Sequence, residues 1–533
     1  MIIKNIAIFC LLISSNVWST VYDLNPGRNS QKNIEVKSIK NSIFVKFNLK
    51  KLSVFEKSVN LSVGNFDKLV IDNLPNSYVI GAPRLPFYSF VVVGEPSELK
   101  LDYQLGKAIK ISKDIFPVPS VQMPLRNKKK SKIKYVLNTK NYKKSEVEIK
   151  YDYIGDYKNQ KLTRVLIRPI SYKNFKNLVI YPNLSLKITN MKANSIIPNT
   201  MTVNKSLLIV TPDKFAKSLD EFVKFKKKNG FTVYLKTLSD FGDTAIKIKR
   251  SIKSFHKINN FDFAILVGDE FVFPTFYKET SSELKTPSDL SYFTFGVNDN
   301  IPDVYYSRFV INNKEQLLKQ TKKIIAYSKN ESNGEILNIA SNEGDSPSDE
   351  DYVNLMSKPL IEKYSLQDNL ILQRDPNVDN NTVVDIVSKG VNWINYIGHG
   401  SGTAWNSVDP DFSVNDILKI SSSGQFPIVI DVACQNGRFV PGHFGERLMN
   451  QQSHGKSVGA SAYYGGSVNI SWNPPAIMAI GVSNSVGQGE TIIGKALLDG
   501  QMYLLNNYDV IDEVYENFVW YHLFGDSSMK INL

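Results

Sequence analysis

Around residue 205 the spacing of apolar residues changes its period, and that change constrains the architecture more than any other feature of the chain. From 21 to about 195, short alternating or apolar runs recur between Asn, Gly, Pro and Lys clusters: Ser42 to Phe47, Phe87 to Val93, Val165-Leu166-Ile167, Leu178 to Tyr181. This is the pattern of strands joined by turns. Helical spacing is hardly visible there, so the first half is expected to be an antiparallel, all-β sandwich. From Ser206 near-continuous apolar strands alternate with amphipathic helices. The strands are Ser206 to Val210, Phe263 to Val267, Ile336 to Ala340, Asn369 to Leu372, Trp393 to Tyr396 and Pro427 to Val432; the helical patterns are Phe215 to Lys228, Lys314 to Tyr327, Tyr352 to Lys363 and Asn381 to Lys389. Strands apolar on both faces indicate a mostly parallel sheet covered by helices on both sides, an α/β domain. Ligands bind such sheets at the carboxyl ends of the strands, so the chemistry is expected there.

At 533 residues the chain exceeds one compact core, and 42% apolar residues exclude a disordered protein. Its first residues carry Lys4, the apolar run Ile6 to Ser14 and then Val17-Trp18-Ser19, the layout of a secretory signal cut after Ser19 or Thr20. The run is too short for a membrane anchor, and the mature protein is expected to be exported and soluble, extracellular or periplasmic. The expected organisation is therefore a signal peptide over 1–19, a β-sandwich over 20–189, a linker over 190–204 and the α/β domain over 205–533. Of the two cysteines, Cys10 leaves with the signal, and Cys434 remains as a single thiol without a disulfide partner.

Charge is divided between the halves. Residues 20–204 hold 32 Lys and Arg against 13 Asp and Glu, whereas 205–533 hold 31 against 38. A basic run, Asn127 to Lys132, could contact phosphates, but no nucleic-acid motif accompanies it and export argues against such a partner. The alternative is a basic domain docked on an acidic one within the same chain.

Two strand ends carry reactive side chains. Asn392 to Ile397 runs into Gly398-His399-Gly400-Ser401, and Phe426 to Ile430 runs into Asp431-Val432-Ala433-Cys434. Adjacent strands lie roughly 5 Å apart, so His399 and Cys434 can face one cleft if the two strands are neighbours. A thiolate nucleophile with an imidazole that lowers its pKa and protonates a leaving amine is the chemistry of such a pair. The amides of Gly400 and Cys434 are candidate oxyanion donors. The remaining histidines, 256, 443, 454 and 522, show no zinc-ligand spacing.

The segments Asn395 to Trp405 and Asp431 to Gly437 resemble the two catalytic motifs of the gingipains, the C25 family of secreted cysteine endopeptidases. Leu207 to Pro212, Leu266-Val267-Gly268-Asp269, Ser288-Asp289, Val468 to Trp472 and Phe524 to Ser527 match in the same order, and Gly81 to Pro86 is similar to the family's inhibitory propeptide. The resemblance implies a caspase-like catalytic domain, Cys434 as nucleophile, His399 as acid/base, and Gly400 and Cys434 as oxyanion donors. It makes Glu343 the residue that orients the histidine, although on the residues alone Glu343 is equally an ordinary strand-end carboxylate.

In arginine-specific members an acidic residue at the base of the S1 pocket follows the Glu-Gly motif. Counting back from His399 places Asp351 there, with Val432 and Trp472 lining the pocket; three acids after Ser348 are equally what a helix N-terminus favours. Ile470, Ser471 and Gly402 depart from the family's pattern. Family members bind calcium, and Asp269, Asp289 and Asp299 sit in matching loops; no cofactor is expected for the chemistry itself.

The expected protein is thus an exported cysteine endopeptidase made as a zymogen, acting on proteins or peptides after basic residues. Its own basic prodomain is the inhibitor, with release by cleavage within 190–205, where Lys192 and Lys205 lie, and with docking that salt weakens. A transpeptidase of the same fold and a non-catalytic binding protein are the alternatives.

Overall fold

The computed structural model describes residues 19–26, 32–61, 64–111, 113–127, 133–190, 203–344 and 347–533. The expected signal segment up to residue 18, the basic run 128–132, Lys192 with most of the linker, and Asp345 and Ser346 lie outside the described residues.

Residues 19–190 form four antiparallel sheets of three or four strands. Strand Ser42–Phe47 shows why: Ile43, Val45 and Phe47 are buried while Phe44 and Lys46 between them are exposed, the period of two that one covered sheet face demands. These side chains pack with Leu52, Val54, Val92, Ile167, Tyr172 and Leu186 into a core of their own. Short helical turns at Pro96–Glu98 and Thr139–Lys143 are minor departures from the all-β expectation.

The second half is a ten-stranded sheet: β1 (Ser206–Thr211), β2 (Thr232–Thr237), β3 (Phe263–Val267), β4 (Tyr305–Phe309), β5 (Glu335–Ala340), β6 (Gln367–Leu372), β7 (Trp393–Ile397), β8 (Ile428–Val432), β9 (Ala462–Gly466) and β10 (Tyr521–Phe524). The strand order is β2-β1-β3-β4-β10-β9-β8-β7-β5-β6. Every pairing is parallel except β9 with β10, which run antiparallel. Strands β1, β3, β7 and β8 are buried throughout, as their unbroken apolar runs require. Helix Lys314–Tyr327 lies where its spacing places it, and helix Asp349–Tyr364 starts three residues before the expected Tyr352 because Ser348 caps it.

The two halves share a core. Val91, Val93, Ile154, Tyr157 and Leu162 of the β-domain pack into the cluster that holds β1, β3 and Cys434. Each such fully buried side chain contributes roughly 1.5–3 kcal/mol. Polar contacts surround this seam. Ser77 Oγ and the Tyr78 amide donate to Asp509, Arg168 reaches the same carboxylate at 3.2 Å, Arg164 donates to the Tyr508 carbonyl at 3.0 Å, and Lys158 Nζ lies 2.6 Å from Asp262. Tyr78 stacks on Tyr508 with ring centroids 4.4 Å apart. The basic and acidic halves therefore meet, through a small set of enclosed pairs.

Candidate active site

Strands β7 and β8 are neighbours in parallel register, with Ile397 opposite Val432. His399 and Cys434 each lie two residues beyond that pair, so equal offsets on adjacent strands bring both to one edge of the sheet, and both are buried. The two strand-end loops touch so closely that a Cβ on Gly400 would come 2.4 Å from the Cys434 carbonyl oxygen and 2.9 Å from its amide nitrogen. Only glycine fits there.

The backbone around His399 is fixed on both sides. Its amide donates to Ser407 Oγ at 3.0 Å, and its carbonyl accepts from Tyr396 Oη at 2.7 Å. Tyr396 in turn stacks on Trp405. The imidazole meets the indole of Trp472 edge to face, and its Nε2 lies 3.2 Å from Glu343 Oε1, within ion-pair reach but without the alignment of a hydrogen bond. Glu343 thus lies beside His399.

Cys434 accepts a hydrogen bond from the Ile470 amide at 3.2 Å, and burial pushes its thiol up to about 12. Beneath it, Asp431 accepts from Trp405 Nε1 at 3.0 Å, from Asn436 Nδ2 at 3.2 Å and from the Tyr463 hydroxyl, while the Asn436 side-chain oxygen accepts from the Gly402 amide. This network ties the loop bearing the thiol to the loop bearing the imidazole.

Against these loops lies a residue of the β-domain, Arg126, which the sequence reading did not single out. Its guanidinium is fully buried, with Nη1 2.7 Å from Asp349 Oδ2 and Nη2 2.8 Å from Oδ1. Nε and Nη2 also donate to the Trp472 carbonyl at 3.2 and 3.0 Å, and the group lies 4.2 Å over the Trp472 ring. The Arg126 amide donates to the Ile470 carbonyl at 3.1 Å, and its own carbonyl accepts from the Gly400 amide at 3.3 Å. A backbone held on both sides, with its carbonyl on the expected oxyanion donor, matches the contacts a peptide substrate's P1 residue would make.

Asp351, expected at the base of the pocket, is elsewhere. It is exposed and accepts from the Ser348 amide and hydroxyl, closing a capping box on helix Asp349–Tyr364. Two residues along a helix is a rotation of about 200°, so only one of Asp349 and Asp351 can face the pocket. That one is Asp349, which also accepts from Ser341 Oγ at 2.6 Å. Trp472 lies against the same guanidinium. Val432 is buried at the end of β8 in the cluster that includes Cys434 and Ile470.

The expected calcium ligands do not come together. Asp289 is a buried two-point partner of Arg308, at 2.7 and 2.5 Å. Asp269 accepts from the amides of Phe271 and Val272; Asp299 accepts from those of Gly296, Ile301 and Asp156. Asp289 is taken up by a guanidinium while Asp269 Oδ2 lies buried without a hydrogen-bond partner, and among the described residues no group of three or more His, Cys, Asp or Glu is arranged to hold a shared cation.

Arg126 leaves a faint sequence signal. Only five of the 32 basic residues of 20–204 are arginines, and three of them, Arg126, Arg164 and Arg168, reach into the α/β domain. Lysine serves a solvated surface; the planar fork of arginine suits two-point, enclosed pairing.

The fold and this arrangement of strand ends define a caspase-like cysteine-peptidase architecture behind a β-rich prodomain. The chain belongs to peptidase family C25: residues 201–532 match that family, and residues 25–218 match Propeptide_C25. It is 29% identical over 328 residues to gingipain R2 of Porphyromonas gingivalis strain W83, covering 58% of this chain and 42% of that protein. It is 26% identical over 449 residues to gingipain R1 of the same species, covering 74% and 44%. The chain thus spans less than half the length of these relatives. Among solved structures it is similar to the Arg-specific cysteine proteinase gingipain R, with a TM-score of 0.57, 26% identity and coverage of 63% and 80%. It is also similar to the complex of Porphyromonas gingivalis RgpB pro- and mature domains, with a TM-score of 0.56, 27% identity and coverage of 61% and 79%.

Proposed function

We propose that the chain is the latent form of a cysteine endopeptidase that cuts proteins after arginine, and that its β-domain holds it latent by presenting Arg126 as a P1 residue. The observation that carries this reading is the placement of Arg126: guanidinium on Asp349, amide on the Ile470 carbonyl, carbonyl on the Gly400 amide. A pocket that satisfies a buried guanidinium with a two-point carboxylate and an indole face discriminates strongly against uncharged side chains, because without the cation the Asp349 carboxylate is buried unpaired.

In the reaction the Cys434 thiolate adds to the carbonyl carbon of the P1 arginine, and the developing oxyanion takes the Gly400 N–H now bonded to the Arg126 carbonyl. Collapse breaks the C–N bond, and His399, oriented by Glu343, gives its proton to the leaving amine nitrogen. A water, deprotonated by His399, then hydrolyses the thioester and returns the thiol. Burial pushes the thiol up, against the lowering pull of the Ile470 amide and of the Arg126 charge and amide, which is a second reason for latency. No helix among the described residues is long and apolar enough to cross a membrane. The signal read at 1–19 supports an exported protein.

The test uses the full chain and the chain nicked by a lysine-specific protease, which cannot itself cut after arginine, on a panel of fluorogenic peptides varied at P1. Hydrolysis after arginine that rises on nicking and disappears in Cys434→Ala is expected. Equal rates at arginine and at alanine would sink the specificity. Transfer to an added amine in place of water would make the protein a transpeptidase.

A further inference from the structure

Glu343 and the arginine pocket are hydrogen-bonded to each other through the backbone. The Glu343 amide donates to Ser341 Oγ at 3.2 Å, and its carbonyl accepts from the Asp349 amide at 3.0 Å. Ser341 Oγ spends its single proton on Asp349 Oδ2 at 2.6 Å, the same oxygen that receives Arg126 Nη1 at 2.7 Å. Ser341 is itself fully buried, and its amide is fixed to the carbonyl of Ile397, two residues before His399. A continuous polar path therefore runs from the guanidinium through Asp349 Oδ2, Ser341 Oγ and the Glu343 backbone to the carboxylate 3.2 Å from the His399 ring.

We infer that Ser341 is a positioning residue that couples occupation of the arginine pocket to the placement of Glu343 beside His399, so that a guanidinium in the pocket raises turnover as well as affinity. The inference rests on the endopeptidase reading above. Its physical basis is the direction of the hydroxyl. Ser341 accepts from the Glu343 amide through a lone pair and gives its one proton to a charged Asp349 oxygen, and because bonds in such a chain strengthen one another, that donation aims and strengthens the bond to Glu343. The guanidinium fixes that oxygen. When the pocket holds no cation, Asp349 is a buried carboxylate without a counter-charge, whose best recourse is to turn toward water. The hydroxyl then loses its acceptor and is free to rotate, and the bond it accepts from the Glu343 amide loses the cooperative support of that donation.

The experiment compares the full chain with Ser341→Ala, each nicked with a lysine-specific protease, on two peptides that differ only in P1: arginine, and citrulline, which has the same shape without the charge. For the unsubstituted chain the change to citrulline is expected to raise KM and also lower kcat by about tenfold or more. In Ser341→Ala the kcat for arginine should fall to within about threefold of that for citrulline, while KM still favours arginine. A Ser341→Ala enzyme that keeps the original ratio of kcat values, or loses only in KM, overturns the coupling. If Ser341→Ala does not fold, Ser341→Cys, of nearly the same size but with a weak donor, should show the same collapse in part; an unchanged kcat ratio there also overturns it. An unsubstituted enzyme that cleaves neither peptide removes the endopeptidase reading, and this inference with it.

Discussion

The Arg126 guanidinium and the Asp349 carboxylate meet as a two-point pair at 2.7 and 2.8 Å with neither side chain exposed, although 223 residues separate them in the chain. A buried pair of this kind adds little net stability over an apolar filling, but removing one member strands the other at a cost of about 3–5 kcal/mol. The contact is thus weak as glue and strong as a specification. It dictates which side chain may occupy the pocket, and the β-domain fills it with the side chain an arginine-cutting enzyme would bind in a substrate.

Replacing Asp349 and Asp351 separately should divide specificity from helix capping. Asp349→Ala is expected to lower kcat/KM for a P1-arginine peptide by about 10²–10⁴, the rate equivalent of losing a buried charge partner. Asp351→Ala removes a side chain that bonds only Ser348, so it should cost about 0.5–2 kcal/mol of stability and leave cleavage after arginine unchanged. Steady-state kinetics on the nicked chains and thermal unfolding of the intact ones check both. Loss of arginine cleavage in Asp351→Ala alone would restore the placement expected from sequence.

Arg126→Ala should loosen latency in the uncleaved chain, raising its rate on a small P1-arginine substrate at least tenfold. Salt should do much less. The pairs that join the halves, Arg126 with Asp349, Arg168 with Asp509 and Lys158 with Asp262, are enclosed, and enclosed charges are poorly screened. Raising NaCl from about 0.1 to 1 M, which shortens the Debye length from about 10 to 3 Å, should change the uncleaved rate less than threefold. A steep rise with salt would show that docking depends instead on the diffuse charge imbalance between the halves.

Strands such as β1, β3, β7 and β8 were legible because a strand buried on both faces has to be apolar throughout, and His399 and Cys434 because each follows such a strand. Helix Asn473–Gly487 was not, since it is buried on nearly every side and so carries no amphipathic period. Strand β10 is four residues long and antiparallel to β9, too short for a period of two to declare itself. At the pocket, an acidic run after an N-cap satisfies the helix dipole whichever acid faces inward, so only the helical rotation separates Asp349 from Asp351. Arg126 and the Ser341 hydroxyl act across more than two hundred residues and across a loop, respectively, where local periodicity holds no information.

The Cys434 thiol offers a direct readout of activation. Burial holds it up to about 12 in the latent chain, so at pH 7.5 the alkylating thiolate is scarce and the sulfur is covered. Once the β-domain leaves, water reaches the site and the neighbouring imidazole can stabilise the thiolate. The rate of carboxymethylation by iodoacetate, followed by intact mass, should rise at least a hundredfold on nicking. Equal rates before and after would mean that the thiol is not governed by the β-domain.

Latency should also depend on pH, in a direction set by two carboxyl groups at the seam. Asp303 accepts from the Lys158 amide and Asp299 from the Asp156 amide, both on the hairpin that enters the shared core. Burial pushes Asp303 up to about 7 and raises Asp299, against the lowering effect of those backbone bonds; the nearby charges are Asp156, each other, Lys249 and Lys278 facing Asp299, and Lys158 paired to Asp262. A carboxyl raised in the docked state carries more protons docked than free. Docking therefore takes up protons: its free energy is most favourable below the ordinary carboxylate range near 4 and weakens as pH climbs from there through about 7. The uncleaved chain should accordingly be more tightly latent at pH 5.5 than at pH 8, with Asp303→Asn flattening the dependence because its amide does not titrate. The check is the uncleaved-to-nicked activity ratio across that range, each form normalised to its own pH profile; a ratio that falls as pH rises would reverse the sign and remove these carboxyls from the account.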